Sequence, residues 1–432
     1  MKYYGGNISS MEWQVHGESS FRNYLYKYDG LGRLGTATYT DGTSKNFTEQ
    51  ITSYDKNGNI GGLKRYGQTG AATYGLIDDL KFSLTGNRPD RVDDASTATA
   101  YNGGFEFKDG KKQAGEYAYD ANGNLIKDLN KGITGIQYNY LNLPSKVTFS
   151  DGSTIAYTYA ADGTKLRTLH KVGSTTTTTD YCGNVIYENG VRKYLLTEEG
   201  YVSLNDGIYH YFYKDHLGNV RLVIGNPTNS GGQVEERNDY YPFGGLIADL
   251  GSVQPYKYNG KELDTKKGLN WYDYGARMYD AAVGRFTTPD QLAEKYYSLG
   301  LYVYCASNPI KYIDPTGADM VIWYKDEKGR QTSFSFNGRN AANAPQNSFV
   351  KDVIAAYDYN ISNGGGENMQ AVATDKKMRI GVVETGYDNV YLPNANAIRF
   401  NPTAGLKLDD GNILSPATGL EHEAAHAVNN KK

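Results

Sequence analysis

Residues 415–430 read SPATGLEHEAAHAVNN. His422 and His426 stand four residues apart, so on a helix both imidazoles leave the same face. Each can then set a ring nitrogen about 2.0–2.1 Å from one zinc ion. Glu423, next to the first histidine, can reach a metal-bound water as general base. That pattern points to zinc-dependent hydrolysis of a peptide bond, with the carboxylate taking the water's proton as oxygen attacks the carbonyl. An HExxH string also arises by chance on solvated helices. Here the chain has six histidines and only these two follow residue 319, while Ala424, Ala425 and Ala427 let the helix pack closely. A catalytic zinc takes a third protein ligand. Glu384, Asp388 and Asp409 are the upstream candidates, and the favoured reading is that the ligand lies past Lys432, on a sequence that is truncated here.

The elements that must hold this pair form a small α+β domain over residues 319–432. Ser415 reads as the helix N-cap and Pro416 as its first residue. Apolar positions Phe349, Val350, Val353, Ile354 and Tyr357 predict an amphipathic helix over 348–361. A hairpin is expected over 320–325 and 331–336, then strands over about 369–374, 379–384 and 389–400. Ala397–Phe400 is expected to be an edge strand that pairs with substrate backbone.

Before residue 250 the chain repeats itself. YLYKYDGLGRLGTATYTDG from Tyr24, ITSYDKNGNIGGLKRYG from Ile51, AGEYAYDANGNLIKDLN from Ala114, IAYTYAADGTKLRTLHK from Ile155 and YFYKDHLGNVRLVIGN from Tyr211 share one plan. A strand ends near Tyr-Asp, a glycine turn follows, and a second strand returns. Alternation puts the paired tyrosines on one face, and Asn57-Gly58, Asn122-Gly123 and Asp162-Gly163 supply hairpin turns. Such hairpins must stack to bury their faces. Forty tyrosines against thirteen phenylalanines, with fifty-one glycines, fit many short half-buried strands. The stretch LIDDLKFSLTGNRPDRVDDAS within residues 71–110 reads as an insertion of polar loops.

A net charge of −3 offers no clustered cation for nucleic acid. No apolar run approaches the roughly 18 residues of a membrane span. Cys182 and Cys305 are too few for a disulfide framework and read as buried free thiols. Met1-Lys2-Tyr3-Tyr4 opens in mid-repeat with no signal peptide, so the chain reads as the C-terminal portion of a longer product.

The repeats resemble the YD repeats of RHS proteins. Residues 255–317 resemble the RHS repeat-associated core, through KYNGKELD, GLNWYDYGARMYDAAVGRF, TTPD, YVYCASNPI and YIDPTG. The aromatic alternation of Trp271–Asp280 predicts a strand. Thr288-Pro289 predicts the start of a short helix over QLAEKYYS, and Asp314-Pro315-Thr316-Gly317 a type I turn. The last domain resembles effector-type zincin metallopeptidases over SPATGLEHEAAHA.

The resemblance implies a mainly β protein: a YD-repeat β-sheet spiral or shell over 1–239, closed by an RHS core over 240–318, with the metallopeptidase-like domain after it. It implies aspartyl self-cleavage after the DPTG turn, at Ala318–Asp319, carried by Arg277, Asp290 and Asp314. Two carboxylates that share a proton activate water and protonate the leaving group. Leucine is frequent after the family's DPxG glycine, and this chain has Ala318. Each residue also has a plain structural role, at a helix N-terminus for Asp290, in a turn for Asp314, and against tyrosine rings for Arg277.

The implied function is that of a bacterial, secreted or cell-surface RHS-type polymorphic toxin. Its shell would deliver a Zn²⁺-dependent peptidase to a protein substrate in a target cell, with an immunity protein and secretion machinery as partners and no nucleic acid. The alternative is an adhesive cell-surface β-shell without chemistry.

Overall fold

The computed structural model describes residues 7–14, 20–228, 231–291, 299–314, 320–325, 331–336, 344–362, 369, 372–373, 380–384, 390–392, 397–402, 406–407 and 413–429. The chain divides into two compact units, Met1–Asp314 and Pro315–Lys432.

The first unit is built of antiparallel meanders. Seven strands from Ser10–Trp13 to Arg88–Asp94 pair in sequence order, and fourteen from Tyr117–Tyr119 to Leu246–Leu250 do the same. The supposed loop insertion is instead a long hairpin, Tyr74–Thr85 and Arg88–Asp94. Its polar residues alternate with Ile77, Leu80, Phe82 and Val92, all buried, so the pattern has the period of a half-buried strand.

The hairpin turns differ from the expected Asn-Gly form. Gly58 and Gly123 have φ of +80° and +85°, but Asn57 and Asn122 do not join them at positive φ. The Asp55 amide donates to the carbonyl of Asn59, the Gly58 amide donates to Asp55, and the register shifts there by a bulge. This is the three-residue loop with a glycine bulge. The aspartate of the motif organises it: Asp55 Oδ1 accepts from the amides of Asn57 and Asn59 at 2.9 and 2.8 Å. Asp29 and Asp215 do the same for their own turns. The tyrosine before the aspartate stitches neighbouring units together. Tyr28 donates its hydroxyl to Ile8 O and Tyr54 to Leu34 O, each at 2.7 Å and each twenty residues back.

A four-stranded core sheet follows, Glu262–Asp264, Trp271–Asp273, Met278–Asp280 and Arg285–Phe286. The expected single strand over Trp271–Asp280 is therefore two short strands, with the Tyr274 amide bonded to Arg277 O across the turn. Gly275 takes φ +83° there, which a continuing strand would not allow. Trp271, Tyr272, Tyr279, Phe286 and Tyr304 are buried in one cluster with the repeat residues Tyr24, Tyr26, Tyr117 and Tyr157. The core also grips the repeat turns. Ser307 Oγ donates to Gly58 O at 3.0 Å, Asn308 Nδ2 to Gly32 O at 2.7 Å and Tyr302 Oη to Gly123 O at 2.6 Å. Both cysteines are free, but Cys182, at the end of strand Thr175–Cys182, is exposed and Cys305 only partly covered.

The second unit has a mixed sheet in the order Gln331–Phe336, Met320–Lys325, Gly381–Glu384, Ala397–Phe400, Val390–Leu392. Helices α1 (Ser348–Ser362) and α2 (Pro416–Asn429) accompany it. The expected strand at 369–374 is not formed: its described residues Met369, Val372 and Ala373 are helical and buried. The stretch 389–400 folds into two antiparallel strands. The expected helix over QLAEKYYS falls at 291–298 and the DPTG turn on 315–317, so both lie largely outside the described residues.

Candidate functional site

In the first unit the three residues singled out for self-cleavage come together. Arg277 closes the core hairpin just before strand Met278–Asp280. Asp290 is held by its amide on Leu301 O at 2.7 Å. Asp314 ends the segment after Asn308, which is itself fixed on Gly32. Arg277 Nη2 lies 2.9 Å from Asp314 Oδ2 and 3.1 Å from Asp290 Oδ2. One cationic nitrogen thus draws two carboxylates, 13 and 37 residues downstream, to a single point. The side chains of Arg277 and Asp314 are 5% and 8% exposed, and that of Asp290 is 23% exposed. One carboxylate is nearly dry and the other reaches water.

Two features of this site were missed in the sequence. The Arg277 guanidinium carbon lies 3.7 Å from the centre of the Phe286 ring, a close cation–π contact. Arg277 Nη1 is buried and has no hydrogen-bond partner.

In the second unit His422, Glu423 and His426 come together on α2. Ser415 caps that helix, its Oγ accepting from the Thr418 amide at 3.2 Å. Leu420, Ala424 and Ala427 are fully buried in the unit's core, which turns the histidines outward. Their Nε2 atoms are 3.1 Å apart. Two nitrogens on one tetrahedral zinc would be about 3.3 Å apart at ordinary bond lengths, so the spacing fits a shared ion. A ligand atom from each of His422, Glu423 and His426 lies within 4.8 Å of the others.

Glu423 is 6% exposed and accepts at Oε2 from the Tyr391 amide at 2.6 Å. That bond joins the helix to Val390–Leu392, one of the two edge strands of the sheet among the described residues. The expected edge strand, Ala397–Phe400, is paired on both sides. Sheet order, and not sequence order, decides which backbone is open. Glu384 ends its strand exposed and does not join the His422–Glu423–His426 group. Asp388 and Asp409 lie outside the described residues. Glu421, which the sequence did not mark, accepts from the Met369 amide at 2.9 Å and braces α2 from its other side.

Known proteins share the first unit. The family model described as Teneurin YD-shell matches residues 3–310. "Salivary gland surface protein 1" of Aedes aegypti is 31% identical over 240 residues, which is 49% of this chain and 7% of that protein. The "tRNA3(Ser)-specific nuclease WapA" of Bacillus spizizenii is 25% identical over 335 residues, 72% of this chain and 11% of that protein. The chain therefore spans about a tenth of the length of these relatives. Among solved structures, "Crystal Structure of TcdB2-TccC3-TEV" aligns with a TM-score of 0.52 at 21% identity, over 68% of this chain and 15% of that one, a likeness of fold.

Proposed function

The chain belongs to the teneurin YD-shell family, and from that premise we propose that it is a self-processing shell segment of a secreted or surface toxin, carrying a zinc peptidase as its last domain. The meeting of Asp290 and Asp314 on Arg277 Nη2 carries this reading. A water molecule is the second reactant. Asp290, the more exposed carboxylate, takes the water's proton as its oxygen bonds to the carbonyl carbon of the Ala318–Asp319 bond. The proton that the two carboxylates share passes to the amide nitrogen as the carbon–nitrogen bond breaks, and the water's proton replaces it on the pair. The products are a carboxylate on Ala318 and an amine on Asp319.

In the released domain His422 and His426 would hold zinc, which supplies an acidified water and a polarised carbonyl. Glu423 Oε2 accepts from the Tyr391 amide, and the carboxylate would take the water's proton. Strand Val390–Leu392 would pair with extended substrate backbone. The toxin context draws on "Toxin subunit YenC2" of Yersinia entomophaga, 30% identical over 124 residues, 27% of this chain and 12% of that protein, with a protein substrate in a target cell, an immunity protein and an export machine as the expected partners. Among the described residues no helix is long and apolar enough to cross a membrane.

The test is a time course of the purified chain on a denaturing gel. Wild type should convert to two bands while Asp290→Asn and Asp314→Asn stay whole. Equal conversion in all three would remove the aspartyl reading. Conversion in none would remove self-processing from the account.

A further inference from the structure

We propose that Lys257 and Asn238 join through a covalent side-chain amide bond, and that Glu236 carries the protons the reaction moves. This is a separate activity of the first unit and does not depend on self-cleavage.

Three side chains that water barely reaches meet at one atom. Glu236 and Asn238 stand two residues apart on strand Gly231–Tyr240, so they share a face. Lys257 comes to them from the segment after strand Leu246–Leu250. Glu236, Asn238 and Lys257 are 0%, 1% and 2% exposed. Lys257 Nζ and Asn238 Nδ2 both donate to Glu236 Oε1, each over 2.5 Å. Val220 fixes the two reactants. Its amide donates to Lys257 O at 3.1 Å, and its carbonyl accepts from Asn238 Nδ2 at 3.2 Å. The Val253 amide holds the other oxygen of Glu236 at 2.8 Å. Asn238 Oδ1 is buried with no hydrogen-bond partner among the described residues. Leaving a buried acceptor unmet is costly, and this is the atom that gains charge when the side-chain amide is attacked.

The attack requires a neutral amine. Burial pulls the Lys257 ammonium below its ordinary value, against the attraction of Glu236. A desolvated lysine is an activated nucleophile. Lys165 gives the contrast, with Glu262 and Asp273 at 2.7 and 2.5 Å. Loss of water pulls that lysine down as well, but Asp273 and Glu262 together hold its ammonium well above the ordinary value. Two carboxylates keep a lysine charged, and one leaves the amine within reach.

One proton first passes from Lys257 to Glu236 inside the dry pair. The lone pair of Nζ then bonds to Asn238 Cγ, and the carbonyl π pair moves onto Oδ1. Glu236 gives its proton to Nδ2. The Cγ–Nδ2 bond breaks as the carbonyl re-forms, and ammonia leaves. Glu236 takes the surplus proton from Nζ. The product is a secondary amide that ties strand Gly231–Tyr240 to the core segment.

The experiment is a tryptic map of the denatured full chain, as wild type, Lys257→Arg and Glu236→Gln. Trypsin cuts after Arg237, Lys257 and Lys261, with no other lysine or arginine between them. In wild type the peptide 238–261 should stay uncut at Lys257 and be about 17 Da light, the mass of the ammonia lost. Its fragment ions should join Asn238 to Lys257. Lys257→Arg should release the peptide 238–257 at its full sequence mass. Glu236→Gln should close at least about 10²-fold more slowly, with the β circular dichroism of wild type.

A wild-type peptide 238–257 released at its sequence mass would overturn the proposal, and that result depends on no variant. Ammonia lost while Lys257 is still cut would mean that Asn238 had cyclised on its own backbone, and would overturn it too. Gln254 Nε2 also donates to Glu236 Oε1, at 3.0 Å, so fragment ions that place the bridge on Gln254 would overturn the assignment to Asn238. Closure of Glu236→Gln at the wild-type rate would remove Glu236 from the chemistry.

Discussion

Arg277 donates from Nη2 to Asp314 Oδ2 over 2.9 Å, tying the last residue of the first unit to the core sheet. The same nitrogen holds Asp290, so loss of one carboxylate leaves the arginine with a partner. Asp314→Asn should therefore lose self-cleavage by at least about 10²-fold while its far-ultraviolet circular dichroism stays that of wild type. A collapse of the β spectrum in this variant would show that the contact serves the fold and not the chemistry.

Zinc retention separates the roles on α2. With zinc supplied in the buffer, wild type should bind the metal at His422 and His426, and His422→Ala should bind almost none. Glu423→Gln should keep the metal, because its carboxylate is already engaged by the Tyr391 amide, and should lose peptidase turnover by about 10²- to 10⁴-fold. Elemental analysis and a peptide-library digest give the two readings. Zinc bound equally by His422→Ala would break the assignment.

The most buried ion group of the first unit anchors core to repeats. Arg65 is fully buried, bonded to Glu49 at 2.7 Å, Asp78 at 2.9 Å and the carbonyls of Ala281 and Ala282 at 3.0 and 2.9 Å. Arg65→Met should cost roughly 3–5 kcal/mol, because two acids lose their cation. Urea unfolding of the isolated variant checks this, and a cost under about 1 kcal/mol would contradict it.

Cys305, Ala306 and Ser307 take φ of +47°, +50° and +59° in succession. The loop accepts this strain because Ser307 and its neighbour Asn308 must reach Gly58 and Gly32. Ala306→Gly should raise stability by about 1 kcal/mol, since glycine adopts this region without a steric penalty. A lower melting midpoint in Ala306→Gly would show that the alanine methyl is needed for packing.

Burial pushes the Asp128 carboxyl up to about 6, with Lys131 opposing and Asp280 adding to the shift. The folded value lies above the unfolded one near 3.8, so the neutral acid is the form that suits the fold. Its stabilising contribution is complete below the unfolded value and is lost as pH rises through the folded one. Relative to Asp128→Asn, wild type should lose on the order of 2–3 kcal/mol between pH 3.5 and pH 7. Paired urea titrations across that range test the sign, and a parallel pair of curves would refute it.

Much of this was legible because short-range physics wrote it. The helix period of Phe349 to Tyr357, the Ser415 cap and the four-residue spacing of His422 and His426 are local, and the structure has all three. The convergence of Arg277 and Asp314 is not local. Nothing in their spacing announces it, and only the resemblance of the motifs did. The turn aspartates were read only as the end of a strand, and the structure shows them as hydrogen-bond acceptors that organise the turn. The Tyr54-to-Leu34 stitch depends on stacking of units, which no single repeat displays. The order of strands Ala397–Phe400 and Val390–Leu392 was misjudged because a parallel sheet can place the later strand inside.

The most direct measurement is the amino-terminal residue of the small fragment that accumulates from the wild-type chain. The account predicts a single new terminus at Asp319, absent from Asp314→Asn preparations. A chain that stays at 47.7 kDa, or one whose new terminus lies elsewhere and persists in Asp314→Asn, would contradict it.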